Sequence, residues 1–128
     1  MKKILVLVAF LGAITVILGA FGAHSLKDIL NVQELKSFDT AVRYQMYHVL
    51  VLLFVNSYNV FTIKQKKNIS MLFLFGILFF SGSIYAIVFG IEAKNIWFVT
   101  PLGGFLFILG WVLLAFSFFN EKTINKGV

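Results

Sequence analysis

Leu102-Gly-Gly-Phe-Leu-Phe-Ile-Leu-Gly-Trp-Val-Leu-Leu-Ala-Phe-Ser-Phe-Phe119 runs for eighteen residues without a charge, and twelve of them are Leu, Ile, Phe or Val. At about −0.3 to −0.6 kcal/mol per such residue near a helix centre, the stretch gains roughly −4 to −7 kcal/mol on entering hydrocarbon. That is an upper bound, because terminal positions count less. Helix is the conformation it must take there, since in lipid each backbone amide needs a partner within its own segment. A barrel strand would alternate polar and apolar residues, which this run does not.

Three further stretches read the same way, giving spans at about 4–23, 44–63, 69–91 and 97–119. About 20 residues at 1.5 Å each match the roughly 30 Å hydrocarbon core. Composition agrees: 60% of the 128 residues are hydrophobic and 12% charged, against about half and a quarter in soluble domains. A water-soluble domain of this size could not hide sixteen phenylalanines without exposing large apolar patches. The expectation is a single all-α domain over residues 1–128, an integral membrane four-transmembrane-helix bundle with the lipid bilayer as its first partner.

Orientation follows from the basic residues. Lys2, Lys3, Lys64, Lys66, Lys67, Lys122 and Lys126 fall on one side of this topology, and Lys27, Lys36, Arg43 and Lys94 on the other. Seven against four predicts that both termini face the cytoplasm, with Lys64, Lys66 and Lys67 in the turn between spans two and three. The net charge of +6 is thereby explained by topology. The basic residues do not form the aromatic-interleaved stripe of a nucleic-acid binder, so no nucleic-acid partner is expected. Lys-Lys before an apolar run also opens a signal peptide, but cleavage after Ala20 or Ala23 would put Leu18 or Phe21 where a small residue is wanted. The first span is expected to be retained.

Local signals mark the ends of the spans. Ser25 and Asp28 have capping-box spacing, and Leu26, Ile29 and Leu30 could lie on the membrane surface. A helical pattern resumes near Gln33, with Leu35, Phe38, Val42, Met46 and Val49 on one face. Asp39 and Arg43 form an i, i+4 surface pair. Thr100-Pro101 looks like an N-cap followed by proline at the first helical position, with Trp97 in the interfacial belt.

Lipid supplies no hydrophobic drive for helix association, so small residues must let backbones approach. Gly12, Thr15, Gly19 and Ala23 form one such seam, Gly82, Ala86 and Gly90 a second, and Gly103, Gly110 and Ser117 a third. These seams are expected to assemble the bundle or a homo-oligomer. Asn56, deep in span two, needs a partner on a neighbouring helix.

Chemistry-bearing side chains gather at one depth, opposite the lysine-rich turn: His24, Tyr44, Gln45, His48, Tyr85 and Thr100. Tyr44 and His48 share a helix face. At 1.5 Å per residue His48 lies about 6 Å below Tyr44, and Tyr85 about 9 Å below Ile91, so the depths match. Two imidazoles among tyrosines could hold a lipid, quinone, haem or metal, or relay protons. A metal site usually wants four ligands, and the chain has no cysteine. The structural alternative is that His48 and Tyr44 satisfy each other or a carbonyl while His24 caps the carbonyl end of span one. No catalytic residue, metal site or cofactor is assigned. The spans lack a deep Asp, Glu, Lys or Arg, which argues against a proton-coupled exporter, and phosphate-loop and serine-hydrolase motifs are missing.

Gly19-Ala-Phe-Gly-Ala-His24, Phe38-Asp-Thr-Ala-Val-Arg-Tyr-Gln-Met-Tyr-His48, Ser81-Gly-Ser-Ile-Tyr85, Thr100-Pro-Leu-Gly-Gly104 and Gly110-Trp111 resemble the signatures of the domain-of-unknown-function 423 family. That family includes the bacterial membrane proteins YwdK and YgdD and is related to the eukaryotic transmembrane protein 256. The resemblance runs from the first span to the fourth. It implies a multi-pass bacterial plasma-membrane protein of four spans with no assigned activity, and its motif residues coincide with the polar cluster. The expected role is a non-enzymatic scaffold, accessory or envelope-homeostasis protein. The alternative is a binder or carrier of a small ligand at the His/Tyr cluster.

Overall fold

The computed structural model describes residues 2–125, with side chains from 2 to 121. The side chains of Lys122 and Lys126, counted above for orientation, lie outside the described residues. Among the described residues four helices follow one another: α1 (Lys2–Ala23), α2 (Val32–Ser57), α3 (Ile63–Val88) and α4 (Val99–Asn125). Single 3-10 turns at Ser25–Asp28 and Ala93–Asn95 occupy the loops on the α1–α2 and α3–α4 sides.

Extensive packing runs in series, α1 on α2, α2 on α3 and α3 on α4. α1, α3 and α4 are long and apolar enough to cross a membrane. α2 is not, because its first half carries Gln33, Glu34, Lys36, Asp39 and Arg43. None of these five is buried; the polar residues of α2 that are buried, Gln45, His48 and Asn56, lie farther along the helix, between α1 and α3. α1, at the periphery, buries only Val8 and Thr15 and shows lipid-compatible side chains on its remaining faces. Polar residues concentrate on the helix that other helices cover.

Several expected boundaries move. The stretch 44–63 is not one helix, because α2 stops at Ser57 and Tyr58 turns into an extended conformation. Thr62 then caps α3. Its hydroxyl accepts from Gln65 N at 3.1 Å while Gln65 Oε1 accepts from Thr62 N at 2.8 Å, a reciprocal capping box. Lys64, Lys66 and Lys67 therefore ride on the first turns of α3 and not in the connecting turn.

At its other end α3 stops at Val88, short of Ile91. Gly90 has φ +124°, Ile91 N donates to Ala86 O and Gly90 N to Ile87 O, the two bonds of a Schellman ending. Gly90 is thus a helix terminator, where an added Cβ would meet nothing within 4 Å, and not part of a packing seam.

Ser25 and Asp28 do not form a capping box either. They sit in the 3-10 turn, and the box lies six residues on, where Asn31 Oδ1 accepts from Glu34 N and Glu34 Oε2 from Asn31 N, both at 2.9 Å. Leu26 and Leu30 turn inward with Phe38 into a small core, and only Ile29 is exposed. α4 begins at Val99, so Thr100 is inside the helix. Pro101 stays in the first turn, where its missing N–H costs nothing.

The glycine seams divide. A Cβ on Gly12 would meet Val49 at 3.3 Å, on Gly19 Val42 at 3.5 Å, and on Gly22 the Phe38 ring at 2.9 Å, so the α1 stripe packs on α2 of the same chain. Gly103 lies against the backbone of Phe79 and Phe80, Gly110 against the Phe73 ring, and Gly76, not expected, against the Phe107 ring. These three lock α3 to α4. Gly82 has only its own helix within 4 Å and joins no interface of the chain.

Candidate functional site

The polar side chains of the bundle form pairs that cross helix boundaries. Tyr85 OH on α3 donates to Gln45 Oε1 on α2 at 2.8 Å, Gln45 Nε2 donates to Thr15 Oγ1 on α1 at 2.7 Å, and Thr15 Oγ1 donates to Leu11 O at 2.7 Å. Three helices are thereby joined by one chain of donors pointing the same way. Gln45 is 3% exposed and uses both ends of its amide.

His48, also 3% exposed, holds a second knot. Its Nδ1 lies 2.6 Å from the carbonyl of Tyr44, and its Nε2 accepts from Trp111 Nε1 on α4 at 3.1 Å. A carbonyl can only accept and an indole N–H can only donate. The ring is therefore the neutral Nδ1–H tautomer with both nitrogens occupied. One face stacks on Phe107 at 3.6 Å and 5°, and Phe73 and Trp111 approach at 5.2 and 6.0 Å.

The remaining pairs are of the same kind. Ser81 donates to Ala41 O at 2.7 Å, Ser83 and Thr100 share a hydrogen bond between α3 and α4, and Asn56 Nδ2 donates to Ser70 Oγ at 2.8 Å and Leu52 O at 2.9 Å. Tyr58 OH donates to Glu121 Oε1 at 2.8 Å, closing α2 on α4 at the other end.

Of the six candidate residues, Gln45 and Tyr85 are bonded to each other, Tyr44 offers His48 its backbone carbonyl while its ring is 41% exposed, and Thr100 belongs to a separate pair with Ser83. His24 stands apart. It is exposed, and its side chain makes no hydrogen bond among the described residues. α1 is closed by the His24 backbone N–H to the Ala20 and Phe21 carbonyls, so the imidazole does not cap it. Among the described residues no group of three His, Asp or Glu could hold a metal. The partner that depth alone missed is Trp111. A tryptophan in mid-span, far from either interface, needs a partner for its N–H, and that signal was in the sequence.

A family model described as a protein of unknown function (DUF423) matches residues 18–104. The chain belongs to this family. The DUF423 match takes in Gln45, His48, Tyr85 and Thr100. The chain is 42% identical over 125 residues to a UPF0382 membrane protein of Haemophilus influenzae, covering 96% of this chain and 98% of that one. It is 39% identical over 120 residues to a UPF0382 membrane protein of Staphylococcus saprophyticus (94% and 99%). With the inner membrane protein YgdD of Escherichia coli K12 it shares 34% over 135 residues (99% and 95%). No solved structure matches. With three helices long and apolar enough to cross a membrane and relatives named for the membrane, this DUF423 protein is a multi-pass protein of the plasma membrane.

Proposed function

We propose that this chain is a non-enzymatic membrane protein, a small scaffold or accessory subunit, with four spans and both termini in the cytoplasm. The supporting observation is that the buried members of the polar cluster are used up by their own partners. Both nitrogens of His48, both ends of Gln45 and the hydroxyls of Tyr85, Ser81 and Ser83 bond to neighbouring helices or to their own. A ligand at His48 would have to displace Trp111 and unstack Phe107, leaving the indole N–H of Trp111 without its partner. Such a cluster sets the register of helices, the use that buried polar groups serve best. Large apolar side chains exposed on α1 and α4, such as Phe10, Val16, Phe105, Ile108 and Phe116, suit lipid, a second copy in a homo-oligomer, or a partner subunit.

The α2 helix counts as the fourth span on this reading because its polar half stands above the bilayer and its second half, from Tyr44 to Ser57, is covered by α1 and α3. The lysines on α3 and at the N-terminus of α1 mark the cytoplasmic side.

Metal analysis and the visible spectrum of protein purified from membranes test the reading, alongside His48→Gln. The scaffold reading expects no stoichiometric metal or chromophore and a His48→Gln variant that stays assembled, since glutamine can also donate and accept. A stoichiometric metal, haem or quinone that is lost from His48→Gln would replace it with ligand carriage.

A further inference from the structure

The four tyrosines of the chain fall into two pairs. The hydroxyls of Tyr58 and Tyr85 are bonded across helices. Those of Tyr44 and Tyr47 have no hydrogen-bond partner among the described residues, and both rings are exposed, 5.7 Å apart on α2. Helix α1 measures how deep they lie. It carries no charge from Ile4 to Ala23 and runs antiparallel to α2, with Gly12 beside Val49, Thr15 beside Gln45 and Gly19 beside Val42. Tyr47 is therefore level with Ile14, well below the outer end of α1, and Tyr44 is about 4.5 Å higher. Lipid tails offer a phenol at that depth no partner.

The exposed line that carries Tyr47 has a regular spacing. Thr40, Arg43, Tyr47, Leu50 and Phe54 recur at alternating intervals of three and four residues, the repeat that keeps a seam facing a parallel neighbour. The last four of these are exposed, because α1 packs on α2 at Val42, Gln45 and Val49 and α4 reaches it at His48. With Thr40 and Tyr47 on the seam, Asp39 and Tyr44 take the flanking positions through which one helix of a parallel pair reaches the other. Asp39 gives Oδ2 to Arg43, and its other carboxylate oxygen is free to accept.

We propose that this chain forms a two-fold dimer through this line of α2. Tyr44 donates to the partner's Asp39, Tyr47 meets the partner's Tyr47 hydroxyl to hydroxyl, and Leu50 and Phe54 pack against their counterparts. Copies inserted in one orientation pair symmetrically only about an axis along the membrane normal, which sets the two α2 helices parallel and each residue level with its own image. The line suits such an encounter. A hydroxyl both donates and accepts, so it can satisfy its own copy, and the Asp39–Arg43 pair brings no net charge to repel a second one. The exposed side chains of α1 between Ile4 and Ala23 are apolar and need only lipid. The dimer rests on α2 crossing the bilayer and gives the scaffold reading its interface.

Oxidative cross-linking of single cysteines in native membranes is the first test. Leu50→Cys should give a disulfide-linked dimer, and Ile14→Cys and Ile108→Cys, at exposed positions of α1 and α4, should not. Energy transfer between labelled chains in phosphatidylcholine vesicles is the second. Tyr44→Phe should weaken the dimer about sevenfold, as the loss of two symmetric bonds between helices implies, while Phe105→Leu, exposed on α4, should leave it unchanged. Equal cross-linking at all three positions, cross-links from Leu50→Cys to other polypeptides alone, or a Tyr44→Phe dimer as tight as the unaltered one would each overturn the assignment. A monomer whose Ile29→Cys and Lys64→Cys variants label from opposite sides of the membrane would overturn the dimer alone. Labelling of both from one side would take the four-span reading with it.

Discussion

Gln45 and Tyr85 stabilise the bundle through a bond between helices, and the strength of that bond is measurable. In a membrane such bonds average about 0.6 kcal/mol and reach about 1.7, because the unfolded chain also finds partners. A double-mutant cycle of Gln45→Leu and Tyr85→Phe should therefore give a coupling of about 0.6 to 1.7 kcal/mol in a detergent or lipid unfolding assay. Zero coupling would mean that the Tyr85→Gln45→Thr15 relay does not form. Depth reckoning at 1.5 Å per residue brought Gln45 and Tyr85 together, but it put His48 level with Tyr85, whereas Tyr85 packs on Phe38 and His48 lies deeper, against Phe73 and Phe107. Depth could not say which residues face each other. His24 shares the end of the bundle but points outward, and Trp111, on a helix whose other polar residue Thr100 drew attention, supplied the decisive donor.

The helices are locked at unequal strength, and the glycines show where. A Cβ on Gly103 would strike the backbone of Phe79 and Phe80, which cannot rotate away, so Gly103→Ala must pry α4 from α3. Overpacking of this kind costs about 1 to 3 kcal/mol or more. Gly82 meets only ordinary contact at 3.9 Å with its own helix, and Gly82→Ala should stabilise α3 by about 0.5 to 1 kcal/mol because alanine loses less backbone entropy. Thermal melts of the two variants should thus move in opposite directions. A tolerated Gly103→Ala would show that α3 and α4 are not in backbone contact. Spacing alone suggested Gly82 and Gly103 equally, since a small residue at helical spacing marks both a close approach and an empty face. The true helix starts were also readable in principle: Asn31 with Glu34 and Thr62 with Gln65 have the spacing of a capping box. The long apolar runs hid the second, because residues 58–62 carry no charge and include Val60 and Phe61.

The four helices form a graded assembly, with α2 the covered member that carries polar groups, α3 and α4 tightly locked, and α1 on the outside. Hydropathy alone found all four elements but assumed that each span is apolar throughout, and α2 breaks that assumption because its first half carries exposed charges and its second half carries Gln45, His48 and Asn56, which neighbouring helices bury. Its crossing of the membrane is therefore what the whole account stands on. The chain lacks cysteine, so single cysteines report cleanly, and Ile29, Lys64 and Asn95 are exposed positions in or beside the three connections. Lys64 serves better than Gln65, whose side chain closes the α3 cap. Labelling intact cells with a membrane-impermeant maleimide should modify Ile29→Cys and Asn95→Cys from outside and leave Lys64→Cys reactive only after the membrane is opened. Labelling of Ile29→Cys and Lys64→Cys from the same side would show that α2 does not cross the bilayer, and the four-span account would fall.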